Sequence, residues 1–471
     1  MISDLNPSNF SLDSLQTVAE AAHGKLFCIN EQKITGFTLD SRTVHPGDCF
    51  LAVKGEHTDG HRYIQNAWNA GAALVIASRL PDSMPPSGNL LLVDDVTAAL
   101  GRIAHAHRMT FSPLTVAVTG SVGKTTTKQF IRSVLSADRP TLATGGNFNN
   151  ELGLPLTLLS LRPSHRAAVL EMGMSARGEI EYLSLLTCPD IAVITCIGTA
   201  HMNTLGSREA IRDAKMEITA GLKPGGTLIL NGDEPLLAGQ KDAVYVSLSN
   251  PASDFRANSI RVKDGMTAFD LHTPNGTLHD LTIPVIGAHN VFDAAIACAV
   301  GMIAGIREET LRKGLLSFEN AAMRQKIEHI DGVTLVEDCY NACPESMMAA
   351  LRVLESLQSG EGRRIAVLGD MRELGPESAK MHQAIGRFCM SRNIDVLFTF
   401  GEEAERIAQG AAEVRKTNTE IYRNPDLDHP ETTADALLKI LKKNDTVLFK
   451  ASRAVMLERV SALVKQGLFA R

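Results

Sequence analysis

The sequence predicts an α/β protein of three domains, the middle one built on a mostly parallel sheet. Three observations carry this expectation. The chain has 471 residues, more than one core ordinarily organises, and at roughly 100–200 residues per domain two to four domains are expected. Short apolar runs rich in β-branched residues alternate with helical patterns, as strands buried on both faces of a parallel sheet require. One such run, Leu114–Thr119, passes through a glycine-containing turn into a helical stretch that opens at Lys124, the strand–loop–helix order of a nucleotide-binding unit.

Composition narrows the function. Apolar residues make up 44% and charged residues 21%, the balance of a soluble globular chain. The net charge of −6 is spread without a basic run, which argues against a nucleic-acid partner or an anionic membrane surface. No apolar stretch is long enough to span a bilayer, and the start Met1–Leu15 lacks the basic and apolar regions of a signal peptide. No membrane insertion and a cytoplasmic location are therefore expected. The eight cysteines are scattered with no CxxC pair, so reduced thiols rather than a zinc site are expected.

Three blocks follow along the chain. Residues 1–108 hold strand-like Ile34–Leu39 and Cys49–Val53 and helical Tyr63–Ala70 and Ala98–His107. Residues 109–322 begin with a linker, Met109–Pro113. Strand candidates follow at Leu114–Thr119, Ala167–Leu170, Ile191–Ile197 and Thr227–Leu230, with helical patterns that include Ser207–Leu222. Residues 323–471 carry strand candidates Arg364–Leu368, Val396–Phe400 and Thr446–Phe449 among helical patterns, a second, smaller Rossmann-like α/β domain.

Thr119-Gly120-Ser121-Val122-Gly123-Lys124-Thr125-Thr126 is the most informative segment. Its glycines let backbone N–H groups approach phosphate oxygens, and the helix N-terminus adds a favourable dipole. Lys124 would reach the β and γ phosphates and the Thr125 hydroxyl would ligate Mg²⁺. Val118 stands where the longer form of this loop has a glycine. Gly120, Ser121, Val122, Gly123, Lys124, Thr125 and Thr126 are the predicted triphosphate site. Kinases, ATPases and ligases all use such a loop.

Further segments follow in order: Thr144–Pro155 with Asn147, Asn149 and Asn150; Leu170-Glu171-Met172-Gly173; Gly198-Thr199-Ala200-His201; Ala214-Lys215-Met216-Glu217-Ile218; and Gly287-Ala288-His289-Asn290. Together with the short loop they resemble the Mur ligase and folylpolyglutamate synthase superfamily over nearly the whole chain. Asp40-Ser41-Arg42, Pro46–Ala52 and Asp59-Gly60-His61 resemble its UDP-binding first domain. Asp338-Cys339-Tyr340-Asn341-Ala342-Cys343-Pro344-Glu345-Ser346 and Leu368–Gly375 are similar to the branch that adds D-alanyl-D-alanine to a UDP-N-acetylmuramoyl-tripeptide.

The resemblance implies an ATP-dependent ligase. A carboxylate would attack the γ-phosphate to give an acyl phosphate, and an amine would then displace phosphate. It implies catalytic roles for Lys124, Glu171, His201, Lys215 and Arg324. Two Mg²⁺ ions would be held by Thr125, Glu171, His201 and Lys215, the lysine as a CO₂-derived carbamate. Asn290 would contact adenine with His289 beside it, and Arg324, Asp338 and Asn341 would reach ATP from the third block. Ser41 and Arg42 would bind the UDP portion; Asn147, Asn149 and Asn150 would bind substrate. A monomer is expected. Asp293 stands where the family has asparagine and stays outside the expected site. Cys339 and Cys343 replace a serine and an asparagine. The rival readings are the neighbouring ligase that adds the third amino acid (diaminopimelate or lysine), a non-catalytic nucleotide-dependent binding protein, and a small-molecule kinase.

Overall fold

The computed structural model describes residues 11–470 apart from 28, 56–57, 86–87, 358–361 and 415–418. Three sheets follow one another along the chain. The first contains β1 (Lys25–Phe27), β2 (Gly36–Thr38), β3 (Asp48–Leu51), β4 (Leu74–Ala77) and β5 (Leu90–Leu92), in the order β1-β5-β4-β3-β2. Its members run parallel except β1, which is antiparallel to β5.

The central sheet comprises β6 (Leu114–Thr119), β7 (Thr141–Ala143), β8 (Ala167–Glu171), β9 (Ile191–Ile194), β10 (Thr227–Asn231), β11 (Ala243–Ser247), β12 (Phe255–Lys263), β13 (Met266–Thr273) and β14 (Gly276–Ile283). Its order is β14-β13-β12-β11-β10-β9-β6-β8-β7. From β7 to β12 every pairing is parallel, and β12, β13 and β14 extend the sheet as an antiparallel meander. The sequence reading assigned no strand to this meander. Polar residues interrupt its strands, and Met266–Thr273 alternates partly buried and buried positions, so they lack the continuous apolar runs that marked β6, β8 and β9.

The third sheet comprises β15 (Lys326–Ile330), β16 (Val333–Glu337), β17 (Arg364–Gly369), β18 (Val396–Phe400), β19 (Glu420–Asn424) and β20 (Thr446–Lys450), in the order β15-β16-β20-β17-β18-β19. Only β15 is antiparallel.

Burial explains why the central strands read as apolar runs. Val116 and Val118 of β6 pack into one cluster with Phe130, Val134 and Val291, while Ala117 faces the opposite cluster with Leu158 and Leu170. That opposite cluster also takes in Leu51, Leu74 and Ile76 of the first sheet, so the first two sheets share one apolar core. The helix Lys124–Ser136 buries Thr127, Lys128, Phe130, Ile131, Val134 and Leu135 and stops four residues before Pro140, which disfavours helix in the residue before it.

Two predicted elements are shorter than expected. The strand at Ile191 ends at Ile194; Thr195 still donates its backbone N–H to the Thr119 carbonyl at 3.0 Å, while its hydroxyl donates to the Val122 carbonyl at 2.5 Å. The helix expected over Ser207–Leu222 is Arg208–Met216 followed by a 3₁₀ turn, Glu217–Thr219. At that junction the Glu217 carboxylate accepts from the Gly178 N–H at 2.9 and 3.0 Å, which ties the turn to the neighbouring helix. No helix of the described residues is long and apolar enough to cross a membrane.

Candidate active site

Strand order changes direction at β6, whose neighbours β8 and β9 lie on opposite sides. Ligand crevices form outside the carboxyl ends of strands at such a switch point. The loop Gly120–Gly123 stands there. Val118 is buried inside β6 and paired with Glu171, so the strand occupies the place where a longer loop would begin. Gly120 has φ 149°, and a Cβ on it would lie 1.9 Å from the Thr195 hydroxyl oxygen. Gly123, at φ 88°, precedes the first residue of the helix. Both positions require glycine, one for space and both for backbone conformation. The Lys124 ammonium donates back to the Gly120 carbonyl at 2.7 Å.

Behind the loop lies a buried group of charges. Glu171, at the end of β8, accepts from the Asn149 amide at 2.9 Å, and its Oε2 lies 3.4 Å from the Lys128 ammonium. That same Oε2 is buried without a hydrogen-bond partner. Burial pushes the Glu171 carboxyl upward, but Lys128, Lys124, Asn149 and Arg324 together outweigh it and hold the group below its ordinary value. Lys128 also donates to the Thr144 carbonyl at 2.8 Å. Sequence reasoning missed Lys128. The signal was its spacing of four from Lys124, which puts both on one helix face.

Lys215 is 1% exposed. Burial lowers its pKa well below the ordinary lysine value; nearby Lys124 adds to this and the Cys196 thiol opposes it. No carboxylate is among the groups that act on it. Asp293 is a second residue the sequence reading left aside. It is buried, accepts from the Thr127 hydroxyl at 2.8 Å, and would lie 3.0 Å from a Cβ on Gly123. Burial raises its pKa to about 8, against the opposing Thr127 hydrogen bond and Arg324.

The third sheet supplies the opposite wall. Arg324 donates to the Thr125 hydroxyl at 3.0 Å and stacks on Tyr340, 4.4 Å from the ring centre. At the end of β20, Lys450 donates to the Asp338 carboxylate at 2.7 Å and to the Asn341 carbonyl at 3.1 Å, which fixes the loop after β16. The Asn341 side chain accepts from the Ala342 N–H. The His201 ring pairs with Glu373 at 2.8 Å, and burial-weakened solvation is outweighed at Glu373 by this hydrogen bond, so its carboxyl lies below the usual range. The Thr199 hydroxyl lies 3.2 Å from each Glu345 oxygen. Asn290 donates to the Ile286 carbonyl at 2.8 Å and to Gln325 at 2.7 Å.

Between these walls is a cavity of about 600 Å³. It gathers Ser121, Val122, Gly123, Lys124, Thr125, Thr126, Asn147, Asn149, Glu171, His201, His289, Asn290, Arg324, Asp338 and Asn341 from segments far apart in sequence. Gly120 and the buried Lys215 are not part of its lining. Asn150 is placed elsewhere: its side chain accepts from the N–H groups of Leu152 and Gly153, in the turn that precedes the helix Gly153–Leu159. Ser41 and Arg42 are also distant, on the turn after β2, where Arg42 pairs with Asp40 at 2.6 Å. Beside that turn a second cavity, about 440 Å³, is lined by Thr38, Leu39 and Asp40 on one side and Ala143, Phe148 and Ser160 on the other. Among the described residues, no three His, Cys, Asp or Glu side chains form a group that could hold a metal.

Comparison with known proteins agrees with this layout. Residues 33–108 match the Mur ligase family catalytic domain, 118–301 the Mur ligase middle domain, and 323–453 the glutamate ligase domain of Mur ligases. A Bacillus subtilis protein named UDP-N-acetylmuramoyl-tripeptide--D-alanyl-D-alanine ligase is 39% identical over 451 residues, 95% of this chain and 97% of that one. A crystal structure of MurF from Acinetobacter baumannii superposes with TM-score 0.87 at 32% identity, covering 96% of this chain and 98% of that one. The MurF ligase of Thermotoga maritima, solved in complex with ADP, gives TM-score 0.82 at 31% identity, with 93% and 98% covered. With a relative this similar over its full length, the chain belongs to the Mur ligase family.

Proposed function

We propose that this protein is the ATP-dependent ligase that joins D-alanyl-D-alanine to UDP-N-acetylmuramoyl-tripeptide, giving the UDP-muramoyl-pentapeptide precursor of peptidoglycan with ADP and phosphate. The observation that carries the reading is the full-length similarity to the Bacillus subtilis ligase of that name. The phosphate loop facing the Asp338–Ser346 segment across one cavity supports it. Residues 1–108 would hold the UDP portion, 109–322 the ATP, and 323–471 the dipeptide side. The enzyme would act as a cytoplasmic monomer, which light scattering would check.

The chemistry follows from the charges. The loop N–H groups and Lys124 bind the phosphates of ATP, and Lys124 leaves the Gly120 carbonyl to do so. The tripeptide carboxylate attacks the γ-phosphorus, the bond to the β-phosphate oxygen breaks, and ADP leaves. Arg324 reaches the same place from the opposite wall; its planar fork suits phosphoryl oxygens. The dipeptide ammonium gives up a proton and the free amine attacks the carbonyl carbon of the acyl phosphate; as the tetrahedral intermediate collapses, the C–O bond to phosphate breaks and the nitrogen loses a second proton to the departing phosphate or to solvent. Negative charge grows in both steps, so fixed positive groups in a closed cavity provide the largest stabilisation.

Mg²⁺ fits the donor set. Glu171 keeps one buried oxygen without a hydrogen-bond partner, and the Thr125 hydroxyl and His201 line the same cavity. Hard divalent ions take oxygen ligands, and Lys215 would add one as a carbamate. Its buried amine, biased toward the neutral form, is the form that reacts with CO₂. The ions, two by this reading, would neutralise phosphate oxygens.

The deciding experiment is phosphate release with ATP, Mg²⁺ and UDP-muramoyl-tripeptide, with and without D-alanyl-D-alanine, followed by mass spectrometry. Dipeptide-dependent release with a UDP-linked pentapeptide is the expected result. Turnover of a UDP-muramoyl-dipeptide with diaminopimelate or lysine, and none with D-alanyl-D-alanine, would assign the protein to the neighbouring ligase.

A further inference from the structure

Five carboxylates line the main cavity: Glu171, Asp293, Asp338, Glu345 and Glu373. Four are already answered. Glu171 faces Lys128, Asp338 faces Lys450 and Glu373 faces His201. Asp293 takes the Thr127 hydroxyl in a buried site that favours its neutral form. Glu345 makes no ion pair among the described residues. The Thr199 hydroxyl stands at 3.2 Å from both its oxygens. The Cys343 thiol is kept protonated first by burial and then by Glu345 itself.

Position sharpens the point. Glu345 lies in the first turn of the helix Pro344–Leu357, on the third-sheet side, yet it reaches the phosphate loop. A Cβ on Gly198 would lie 3.0 Å from the Glu345 carboxyl carbon and 3.1 Å from Cβ of Ser121. The Ser121 hydroxyl is itself buried without a partner. The carboxylate therefore stands between the loop that binds the triphosphate and the segment that carries His201. An ammonium arriving at the transferred phosphate would find there a carboxylate that no ion pair engages.

Resting on the ligase reading above, we infer that Glu345 binds the ammonium group of the incoming amine substrate and holds it beside the acyl phosphate. A divalent cation is the less suited occupant. Such ions gather several hard oxygen ligands, whereas Glu345 is flanked by one hydroxyl and a thiol and belongs to no metal-holding group among the described residues. A charge-assisted hydrogen bond to an ammonium needs only one carboxylate.

The test compares Glu345→Gln with the wild type in steady-state phosphate release. Glutamine keeps the size and an acceptor for Thr199 but removes the charge. The KM for D-alanyl-D-alanine should rise about tenfold or more, while those for ATP and the UDP-tripeptide stay unchanged. Glu345→Asp, which keeps the charge, should lie between. D-lactyl-D-alanine, with a hydroxyl in place of the ammonium, should inhibit wild type and Glu345→Gln equally. An unchanged dipeptide KM, a Mg²⁺ requirement that shifts instead, or equal weakening of the lactyl analogue would overturn the inference. Should the wild type use a diamino acid and not the dipeptide, the ligase reading falls. The same comparison then runs with that amine, and an unchanged KM overturns the role of Glu345 separately.

Discussion

The floor of the main cavity and the turn after β2 treat charge in opposite ways. In the floor and behind it, Lys128, Glu171, Lys215 and Asp293 are all buried, with Lys128 and Glu171 partly compensating each other and Lys215 facing no acid. In the turn, Arg42 is 87% exposed and pairs with Asp40 in water; this hydrogen bond holds the Asp40 carboxyl down at about 2. Burying a charge without full compensation opposes folding, and a surface pair contributes little to stability. The contrast indicates where rigidity is needed. Transfer of a phosphoryl group depends on charges fixed before the substrate arrives, whereas an exposed pair such as Arg42 with Asp40 leaves its side chain free to exchange partners.

The largest expected effect is at Lys215. Lys215→Met should lower kcat by roughly 10²-fold or more and yet raise the melting temperature in CO₂-free buffer, because it removes an uncompensated buried amine. The sign with pH is fixed by the direction of its shift. Its folded pKa lies below the unfolded value, so the native state binds fewer protons. The stability it takes away is greatest at low pH and shrinks as pH rises toward the ordinary lysine value. The gap in melting temperature between variant and wild type should narrow upward along the pH scale. A variant less stable than the wild type at every pH would show that Lys215 has a native partner strong enough to offset its burial. Separately, ¹³C-bicarbonate should give a carbamate resonance in the wild type that is missing in the variant.

Asp293 provides the next effect, with opposite slope. Its pKa is raised from 3.8 to about 8, so between those values the native state holds a proton that the unfolded chain has released, and stability falls as pH rises. Asp293→Asn removes this term. The variant should match the wild type near pH 4, gain over it progressively to about pH 8, and gain no further above that; the gap at neutral pH is expected to be a few kcal/mol, each pKa unit being worth about 1.4 kcal/mol. Chemical denaturation across this range reads it directly. A gap independent of pH would mean that Asp293 is ionised throughout and paired with Arg324.

How far the sequence revealed all this depends on the range of each interaction. The phosphate loop, β6 and the helix Lys124–Ser136 are local, written in one stretch of residues, and they were legible. Glu171 and His201 were recognisable because they follow strands and belong to an ordered set of segments. The contacts that complete the site are not local. Thr127 meets Asp293 across 166 positions, Thr199 meets Glu345 across 146 and Arg324 meets Thr125 across 199. No periodicity or turn signal encodes such distances, and an asparagine such as Asn150 reads the same in sequence whether it holds a turn or faces a ligand. The antiparallel strands β12, β13 and β14 were hidden for a related reason, since half of each strand is polar and only pairing in the sheet reveals its buried face.

The smallest predicted effect tests the turn itself. If Arg42 grips the UDP portion of the substrate, Arg42→Ala should raise the KM for UDP-muramoyl-tripeptide by roughly tenfold, the effect of one lost charge-assisted contact to phosphate, and leave kcat, the KM for ATP and the melting temperature unchanged. Lysine at 42 should recover part of the loss, since it keeps the charge but not the bidentate fork. The informative partner is Asp40→Asn. Asparagine still accepts from the Arg42 N–H, as Asp40 does at 2.9 Å, so the turn keeps its shape, but the guanidinium is released from its charged neighbour. Binding should then be unchanged or tighter. If Asp40→Asn weakens binding as much as Arg42→Ala, the pair serves the geometry of the turn and the uridine diphosphate is held by other groups. Opposite signs for the two substitutions would show that the surface pair is a resting position for Arg42, given up when the substrate takes its place.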